Sequence, residues 1–197
     1  MASHVVLVRH GQTEWTITGQ HTGRSDIPLT DLGRQQALAL KGMLDGYDFA
    51  EVFVSPFSRA METAELAGMG SVEVDEDLAE WDYGVYESRR TRDIRQEIPM
   101  WSVWTHEIID GESIGQLGIR CDRMIARTEK VEGQVALFGH GHALRVLGAR
   151  WMGLPPTAGA NLVLETASIS VLGWERQNRA ITHWNDCCHL RAAEHPY

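Results

Sequence analysis

The chain has 197 residues, of which 43% are hydrophobic and 23% are charged, so we expect one globular domain spanning residues 1–197. Its formal net charge of −9 at pH 7 has the wrong sign for a protein whose main partner is nucleic acid or an anionic membrane surface. The three cysteines, two of them adjacent, do not resemble a disulfide framework. Because the sequence shows neither a secretory leader nor an apolar run long enough to span a membrane, the expected location is the cytoplasm.

The first part of the chain alternates between strand and helix patterns. The continuous apolar run at its start is typical of a strand buried on both faces, and charge begins abruptly where that run ends. The predicted elements, in chain order, are a strand at 5–8, a polar loop at 16–29, a helix capped by Thr30 and ending near Gly46, a strand at 51–55, a helix at 58–67 and a strand at 71–74.

The second part begins with a stretch rich in Trp, Arg and acidic residues, which predicts a mixture of loops and one short helix. Regular periodicity returns at Glu112 with an apolar stripe at helical spacing. The predicted elements are the short helix at 92–97, a helix at 112–131, a strand at 135–138, a helix at 143–152 and two strands at 168–174 and 180–184.

Strands that alternate with helices predict an α/β fold, a three-layer α/β/α sandwich with a mainly parallel central sheet. Ligands of such sheets bind beyond the carboxyl ends of the strands. Arg9 and His10 follow the first predicted strand, Arg59 follows the second, and His140 follows the strand at 135–138. We therefore expect two arginines and two histidines to meet at one edge of the sheet.

These residue types suit phosphate chemistry. Arginine makes up 16 of the 18 basic residues, and its guanidinium binds phosphate or carboxylate through paired hydrogen bonds. Two arginines can hold a tetrahedral dianion while a neutral imidazole attacks its phosphorus. Since guanidinium groups and a second, protonated histidine can neutralise the transition-state charge, we expect neither a metal nor a cofactor. A carboxylic acid is still required to protonate the leaving alkoxide.

Six segments of the sequence resemble the histidine phosphatase superfamily, the phosphoglycerate mutase-like proteins of branch 1. They occur in the family's order and extend over nearly the whole chain. The segments are LVRHGQTEW at 7–15, GQHTGRSDIPLT at 19–30, SPFSRA at 55–60, LAEWDYGVYE at 78–87, GES at 111–113 and GHGHALR at 139–145. The resemblance implies the phosphoglycerate mutase-like fold.

The resemblance also implies roles for the residues that match. His10 would be the nucleophile that forms a phosphohistidine, and Arg9, Arg59 and His140 would complete the phosphate pocket. Glu80 matches the family's proton donor, with Asp82 as the alternative acid. The small substrate would then be dephosphorylated in two steps, attack by His10 and hydrolysis by a water that ionised Glu80 activates.

Further candidates for substrate binding come from the same segments. The Thr22-Gly23 loop and the Gly141-His142 turn would offer backbone N–H groups or side chains, and Tyr83 would line the entrance. Thr16 occupies the position of the family's usual Asn, so it can donate only one hydrogen bond to phosphate. The candidates for a second phosphate or for sugar hydroxyls are His21, Arg24, His142, Arg145 and one of the arginines between 89 and 95.

Within the family, the segments look most like the sedoheptulose-bisphosphatase and broad-specificity acid phosphatase subgroup. The leading hypothesis is therefore a metal-independent phosphomonoesterase acting on small phosphorylated metabolites such as sugar phosphates or bisphosphates. A cofactor-dependent phosphoglycerate mutase is the first alternative, although this chain lacks the length of the mutase branch. The second alternative is a catalytically silent protein that binds a phosphorylated ligand. The family resemblance also makes a homodimer an expectation.

Several motifs have a simpler interpretation than a functional one. The arginines at 89–95 alternate with Asp93 and Glu97, which is typical of a solvated helix face. Large aromatic residues such as Trp81, Trp101 and Trp104 more often complete a core or a subunit contact. The residues from His183 to His189 match no zinc-ligand spacing, so no metal site is predicted there. The tail around His195 is expected to be mobile surface.

Overall fold

The structure is a computed structural model, and it describes residues 2–190, so the expectation for the tail around His195 lies outside the described residues. The strands are β1 (Ala2–Arg9), β2 (Phe49–Val54), β3 (Glu73–Val74), β4 (Gly133–Gly139), β5 (Ile169–Glu175) and β6 (Asn178–Asp186). The helices are α1 (Glu14–Thr18), α2 (Asp31–Leu44), α3 (Ser58–Leu66), α4 (Thr91–Glu97), α5 (Ile114–Thr128) and α6 (Gly141–Trp151), with short 3-10 turns at Glu76–Leu78, Gly84–Tyr86 and Pro156–Asn161.

The six strands form one sheet in the order β3-β2-β4-β1-β5-β6. The pairs β2–β3, β2–β4 and β1–β4 are parallel, whereas β5 is antiparallel to both β1 and β6. The predicted α/β fold with a mainly parallel sheet is confirmed. The two antiparallel strands at one edge are joined by a tight turn and need no crossover helix.

Helices cover the sheet on both faces. Val5 and Leu7 of β1 pack in a cluster with residues of α5 and α6, such as Leu117 and Leu144, whereas the alternate residues of β1 pack against α2 and α3. Because neighbouring side chains of a strand point to opposite faces, a strand between two helix layers must be apolar throughout. Each fully buried valine or leucine contributes about 1.5–3 kcal/mol to the free energy of unfolding.

Part of the loop predicted at residues 16–29 is wrong, because α1 continues to Thr18. This helix has only five residues and no buried side chain, so its sequence carries no apolar periodicity. Thr13 and Thr16 stabilise it through a reciprocal capping box, in which each side chain accepts a hydrogen bond from the other residue's backbone N–H. At the other end of the chain, β6 is longer than the predicted strand at 180–184.

The segment between β3 and α5 packs large apolar side chains such as Trp81 and Trp101 into the core, and buried polar contacts hold both of its ends. The Arg120 guanidinium donates to the backbone carbonyls of Asp77 and Ala79 at 2.8 and 2.6 Å and forms a salt bridge with Glu112 at 2.7 Å. These bonds hold both ends of the segment against α5. Because Ala79 immediately precedes a candidate site residue, the buried arginine also fixes where that residue enters the site.

Candidate active site

A cavity of about 380 Å³ opens beyond the carboxyl ends of β1 and β4. The candidate residues that line it are Arg9, His10, Thr16, His21, Thr22, Glu80, Tyr83, Gly141 and His142. Strand β1 delivers the first two of these, and the turn into α6 delivers the last two. Arg59 and His140 have no exposed surface and lie behind this lining, where the ring of His140 is 5.1 Å from the ring of His10 between centroids.

His10 is buried at the end of β1, with its backbone N–H donating to Gly139 of β4 at 3.0 Å. Its ring Nδ1 lies 2.7 Å from the Gly11 carbonyl oxygen. Since a carbonyl can only accept, Nδ1 carries the hydrogen and Nε2 keeps its lone pair. Burial, together with the nearby charges of Arg59 and Arg9, holds the pKa of His10 well below its usual value of 6.5. The ring is therefore neutral at pH 7 and able to act as a nucleophile.

Two guanidinium groups lie beside this imidazole. Arg9 donates to the Leu164 carbonyl through Nη1, while its Nε is buried without a hydrogen-bond partner among residues 2–190. Arg59 donates to the Ser25 carbonyl at 2.9 Å and lies 3.7 Å from the Asp26 carboxylate. A buried donor without a partner is costly, so the Nε of Arg9 marks a place where an anion would be stabilised.

His140 caps α6 at the end of β4 and is held from two sides. Its Nδ1 accepts a hydrogen bond from Arg59 Nε at 3.1 Å, so the hydrogen on Nε2 points to Ser55 Oγ at 2.6 Å. Burial and the adjacent arginine charges keep the pKa of His140 well below 6.5. We call Arg9, His10, Arg59 and His140 the strand-end cluster, and the structure brings all four together as the strand ends predict.

Glu80 lies on the cavity wall, where the N-terminus of α6 holds its carboxylate. One oxygen accepts from the backbone N–H groups of Trp81 at 2.8 Å and Ala143 at 2.9 Å, and the other accepts from that of His142 at 3.0 Å. Three fixed donors define the position of the carboxyl group more closely than a side-chain partner would. Asp82, the alternative acid, does not line the cavity and instead bonds with Arg24 at 3.1 Å.

Tyr83 is buried and forms part of the cavity wall. Its hydroxyl forms a hydrogen bond with His142 Nδ1 at 2.6 Å. Burial raises the pKa of Tyr83 well above 10 and lowers that of His142 well below 6.5. His21 packs 4.7 Å from the Tyr83 ring, and burial lowers its pKa to about 4. These three side chains are therefore neutral at pH 7 and form a polar, uncharged wall.

Two of the predicted substrate-binding residues lie elsewhere. The backbone N–H of Gly23 is already occupied, because it donates to both carboxylate oxygens of Glu87 at 2.9 and 3.0 Å. Arg24 is exposed and bound to Asp82. Neither residue is part of the cavity lining. Thr16 does line it, but its hydroxyl donates to the Thr13 carbonyl at 2.7 Å as part of the α1 cap.

Three further residues line the cavity outside the strand-end cluster, and we call them the distal cluster: Arg95, Trp104 and Arg145. Arg95 donates to the Trp101 carbonyl at 2.8 Å, and Arg145 donates to the Gly159 carbonyl at 3.0 Å. The Arg145 guanidinium lies 4.6 Å from the centre of the Trp104 ring. Trp81 and Trp101 are fully buried in the core, which agrees with the simpler interpretation for these two residues.

The arginines of this cavity differ from all the others that the structure describes. Every other arginine in residues 2–190 lies within 4.0 Å of a carboxylate oxygen. Arg9, Arg95 and Arg145 have no carboxylate oxygen within 4.0 Å among these described residues, and all three line the cavity. Arg89, Arg90 and Arg92 pair with Asp93 or Glu97, as the interpretation of a solvated face expects. Arg95 is exposed as well, but it lines the cavity and has no carboxylate partner among residues 2–190. The sequence carried a signal for this difference, since Asp93 and Glu97 are too few to pair with four arginines.

Residues 2–190 contain no group of three or more His, Cys, Asp or Glu side chains arranged to hold a metal ion, and this includes the stretch from His183 to His189. No helix within the same residues is both long and apolar enough to cross a membrane.

Comparison with known proteins agrees with this geometry. An acid phosphatase of Mycobacterium tuberculosis is 42% identical over 182 residues, which cover 90% of this chain and 89% of that protein. The sedoheptulose 1,7-bisphosphatase of Saccharomyces cerevisiae is 36% identical, over 76% of this chain and 67% of its own. A probable phosphoglycerate mutase of Salmonella arizonae is 31% identical, over 95% of each chain.

A solved structure of an open reading frame product from Mycobacterium tuberculosis superposes with a TM-score of 0.89 at 38% identity, covering 92% of this chain and 96% of that one. The fold is therefore that of the phosphoglycerate mutase-like proteins. Residues 5–187 match the family model described as histidine phosphatase superfamily (branch 1). The chain belongs to the histidine phosphatase superfamily, branch 1, and its enzyme class is that of a phosphatase.

Proposed function

We propose that the protein is a metal-independent phosphomonoesterase that works through a phosphohistidine at His10. The observation that carries this proposal is the state of His10, a neutral ring with a free Nε2 lone pair beside Arg9, whose Nε lacks a partner among residues 2–190. In the first step Nε2 attacks phosphorus, an N–P bond forms, and the bond from phosphorus to the substrate oxygen breaks. The charges of Arg9 and Arg59 stabilise the transferred group without a metal.

Glu80 is the proposed acid and base. It lies on the same cavity wall as His10 and is held by three backbone donors. In the first step its proton passes to the departing alkoxide, which leaves as an alcohol. In the second step its carboxylate takes a proton from a water molecule, whose oxygen bonds to phosphorus as the N–P bond breaks. Inorganic phosphate is released, and Glu80 is again protonated for the next turnover.

The distal cluster indicates the substrate class. Arg95 and Arg145 have no carboxylate partner among residues 2–190, and they lie in the same cavity as Arg9. A substrate with a phosphate at one end and a second anionic group at the other would bind both sites, with the neutral wall of His21, Tyr83 and His142 beside its hydroxyl-bearing middle. We propose phosphorylated sugars, and sugar bisphosphates in particular. The bisphosphatase named among the relatives supports this choice.

A phosphoglycerate mutase is the second candidate, because a probable mutase is among the relatives that align along nearly the full length. Its substrate also carries two anionic groups. The two activities differ in their products, since a mutase equilibrates positional isomers and depends on a bisphosphorylated cofactor, whereas a phosphatase releases inorganic phosphate. A silent binding protein would do neither.

The test is phosphate release from a panel of sugar monophosphates, sugar bisphosphates and 3-phosphoglycerate, in the presence of EDTA. We expect turnover by the wild type, highest with a bisphosphate, and a loss of about 10³-fold or more in His10→Ala, as for other removed nucleophiles. No release from any compound would overturn the proposal. Isomer exchange that requires a bisphosphate cofactor would support the mutase, and binding without either reaction would support the silent protein.

A further inference from the structure

One short backbone segment, residues 164–168, forms hydrogen bonds with both Arg9 and His10. The Leu164 carbonyl accepts a hydrogen bond from the Arg9 side chain. The Ala167 N–H donates to the His10 carbonyl at 3.0 Å, and the Ser168 carbonyl accepts from the Arg9 N–H at 3.2 Å. The position of His10 therefore depends on this segment as well as on β1 and β4.

The segment contains a backbone conformation that is unfavourable for its sequence. Ala167 has a φ of 53°, in the left-handed region, and its side chain is fully buried. A residue with a Cβ pays about 1–2 kcal/mol for this conformation. Such a turn persists only where its surroundings hold it. Ser168 closes it from within, since its N–H and its hydroxyl donate to the Glu165 carbonyl at 3.3 and 2.7 Å, and groups from outside the segment bind it as well.

Those groups come from the C-terminal end of the described chain. Trp184 Nε1 donates to the Val163 carbonyl at 2.6 Å, and Asn185 Oδ1 accepts from the Glu165 N–H at 2.7 Å. His189 Nε2 lies 2.9 Å from the Ala167 carbonyl. Three side chains within six residues thus each bind a main-chain group of the segment or of the residue just before it.

The contact of His189 is the most informative of the three. Since the Ala167 carbonyl can only accept, Nε2 carries the ring hydrogen. The other ring nitrogen, Nδ1, is buried and has no hydrogen-bond partner among residues 2–190. Burial lowers the pKa of His189, so the ring is neutral at pH 7. Within the described residues its one hydrogen bond is the bond to Ala167, the residue whose N–H holds His10.

We infer that His189 is a positioning residue for His10, acting through the carbonyl and N–H of Ala167. The chain of contacts runs from the His189 ring to the Ala167 carbonyl, and from the Ala167 N–H to the His10 carbonyl. Asn185 supports the same segment nearer to Arg9. His189 touches neither substrate nor the reacting atoms. The inference rests on the proposed function insofar as its effect is read out in the attack by His10.

The test compares His189→Leu, which removes the donor and keeps an apolar side chain of similar bulk, with His189→Gln, which restores an N–H donor. The matched control is His183→Leu, the same change at an exposed position on β6. The readout is the single-turnover rate constant for release of p-nitrophenol from p-nitrophenyl phosphate with enzyme in saturating excess. A fraction of unfolded enzyme would not change that rate constant.

We expect His189→Leu to lower the rate constant about 10-fold or more, because a small displacement of a reacting group costs as much as 10²-fold. The competitive inhibition constant of inorganic phosphate should stay within about twofold, because both arginines remain. His189→Gln should recover most of the rate. A rate for His189→Leu equal to that of His183→Leu, or an equal loss in His189→Gln, would overturn the inference.

Two further measurements distinguish a failure of this inference from a failure of the proposed function and from misfolding of the variant. If the wild type hydrolyses nothing, the nitrogen NMR signals of the His10 ring give the answer, since His189→Leu should shift them and His183→Leu should not. Unchanged His10 signals would overturn the inference. If His189→Leu does not fold, Asn185→Gly replaces it, because glycine tolerates the φ of 58° at this position and removes only the acceptor for Glu165. It should slow attack in the same assay, and a wild-type rate would overturn the inference.

Discussion

The strand-end cluster and the distal cluster are built in different ways. The strand-end cluster lies on the sheet, where backbone hydrogen bonds between β1 and β4 fix His10, and where burial keeps both histidines neutral. The distal cluster is built on α4, on the loop that carries Trp104 and on α6, and its arginines donate to the backbone carbonyls of Trp101 and Gly159. Under the proposed function, the chemistry would depend on rigid strand ends, and the choice of substrate would depend on side chains held by the connecting segments.

The largest expected effect is the loss of turnover when Glu80, beside the strand-end cluster, is changed. Glu80→Gln keeps the side-chain shape but cannot supply a proton, so turnover of a sugar phosphate should fall about 10²–10⁴-fold. With p-nitrophenyl phosphate the single-turnover release should fall much less, because p-nitrophenolate leaves without a proton. Rapid-quench kinetics with both substrates measure the two losses. Equal losses would remove Glu80 from the acid role.

A measurement of the free energy of unfolding tests how tightly the segment between β3 and α5 is packed. Gly84 has a φ of 48°, and a Cβ placed there would lie 2.0 Å from the Ile109 carbonyl oxygen. Gly84→Ala should therefore lower the free energy of unfolding by about 3 kcal/mol. Gly42→Ala is the control, since Gly42 lies in α2 with nothing within 4 Å, and it should stabilise by up to about 1 kcal/mol. Urea unfolding measures both free energies. Equal values for the two variants would show that the backbone around Gly84 and Ile109 can move apart to accommodate a Cβ.

The uncharged His21 of the cavity wall predicts that the free energy of unfolding depends on pH. Because the pKa of His21 is about 4 when folded, against 6.5 as its ordinary value, only the unfolded chain gains a proton between these pH values. Lowering the pH therefore destabilises the folded state, at up to about 1.4 kcal/mol per pH unit for this group. His21→Gln should lose about 2 kcal/mol less stability than the wild type between pH 7 and pH 5. An identical loss in urea titrations at the two pH values would place the His21 pKa near its ordinary value.

The smallest expected effect tests the distal cluster most directly. Arg95→Met and Arg145→Met should each raise the KM for a sugar bisphosphate about 10-fold, the value of one charge-assisted hydrogen bond. The KM for p-nitrophenyl phosphate should change less than about twofold, because that substrate has no second anion. Arg24→Met is the matched control outside the cavity. Equal KM changes for both substrates would show that the distal cluster does not bind a second anionic group.

The sequence alone predicted the fold class and the meeting of Arg9, His10, Arg59 and His140. Both follow from short-range rules, since apolar runs mark buried strands and parallel strands end at the same edge of a sheet. The short helix α1 was not predicted, because these rules depend on apolar patterns. It depends on a capping box and on no apolar face, so periodicity gives no signal for it.

Tertiary structure alone decided which polar residues face the cavity. Arg24 and Arg95 are both arginines in polar segments, yet one bonds with Asp82 on the surface and the other lines the cavity. Tyr83 lies buried in the wall, and the N–H of Gly23 is taken by Glu87. The outcomes for Arg24 and Gly23 depend on carboxylates 58 and 64 residues further along the chain, whereas Arg95 is held by the nearby Trp101 carbonyl. The sequence by itself determined the residues that strand ends bring together, whereas the tertiary structure decided the side chains that long-range polar contacts hold in or out of the site.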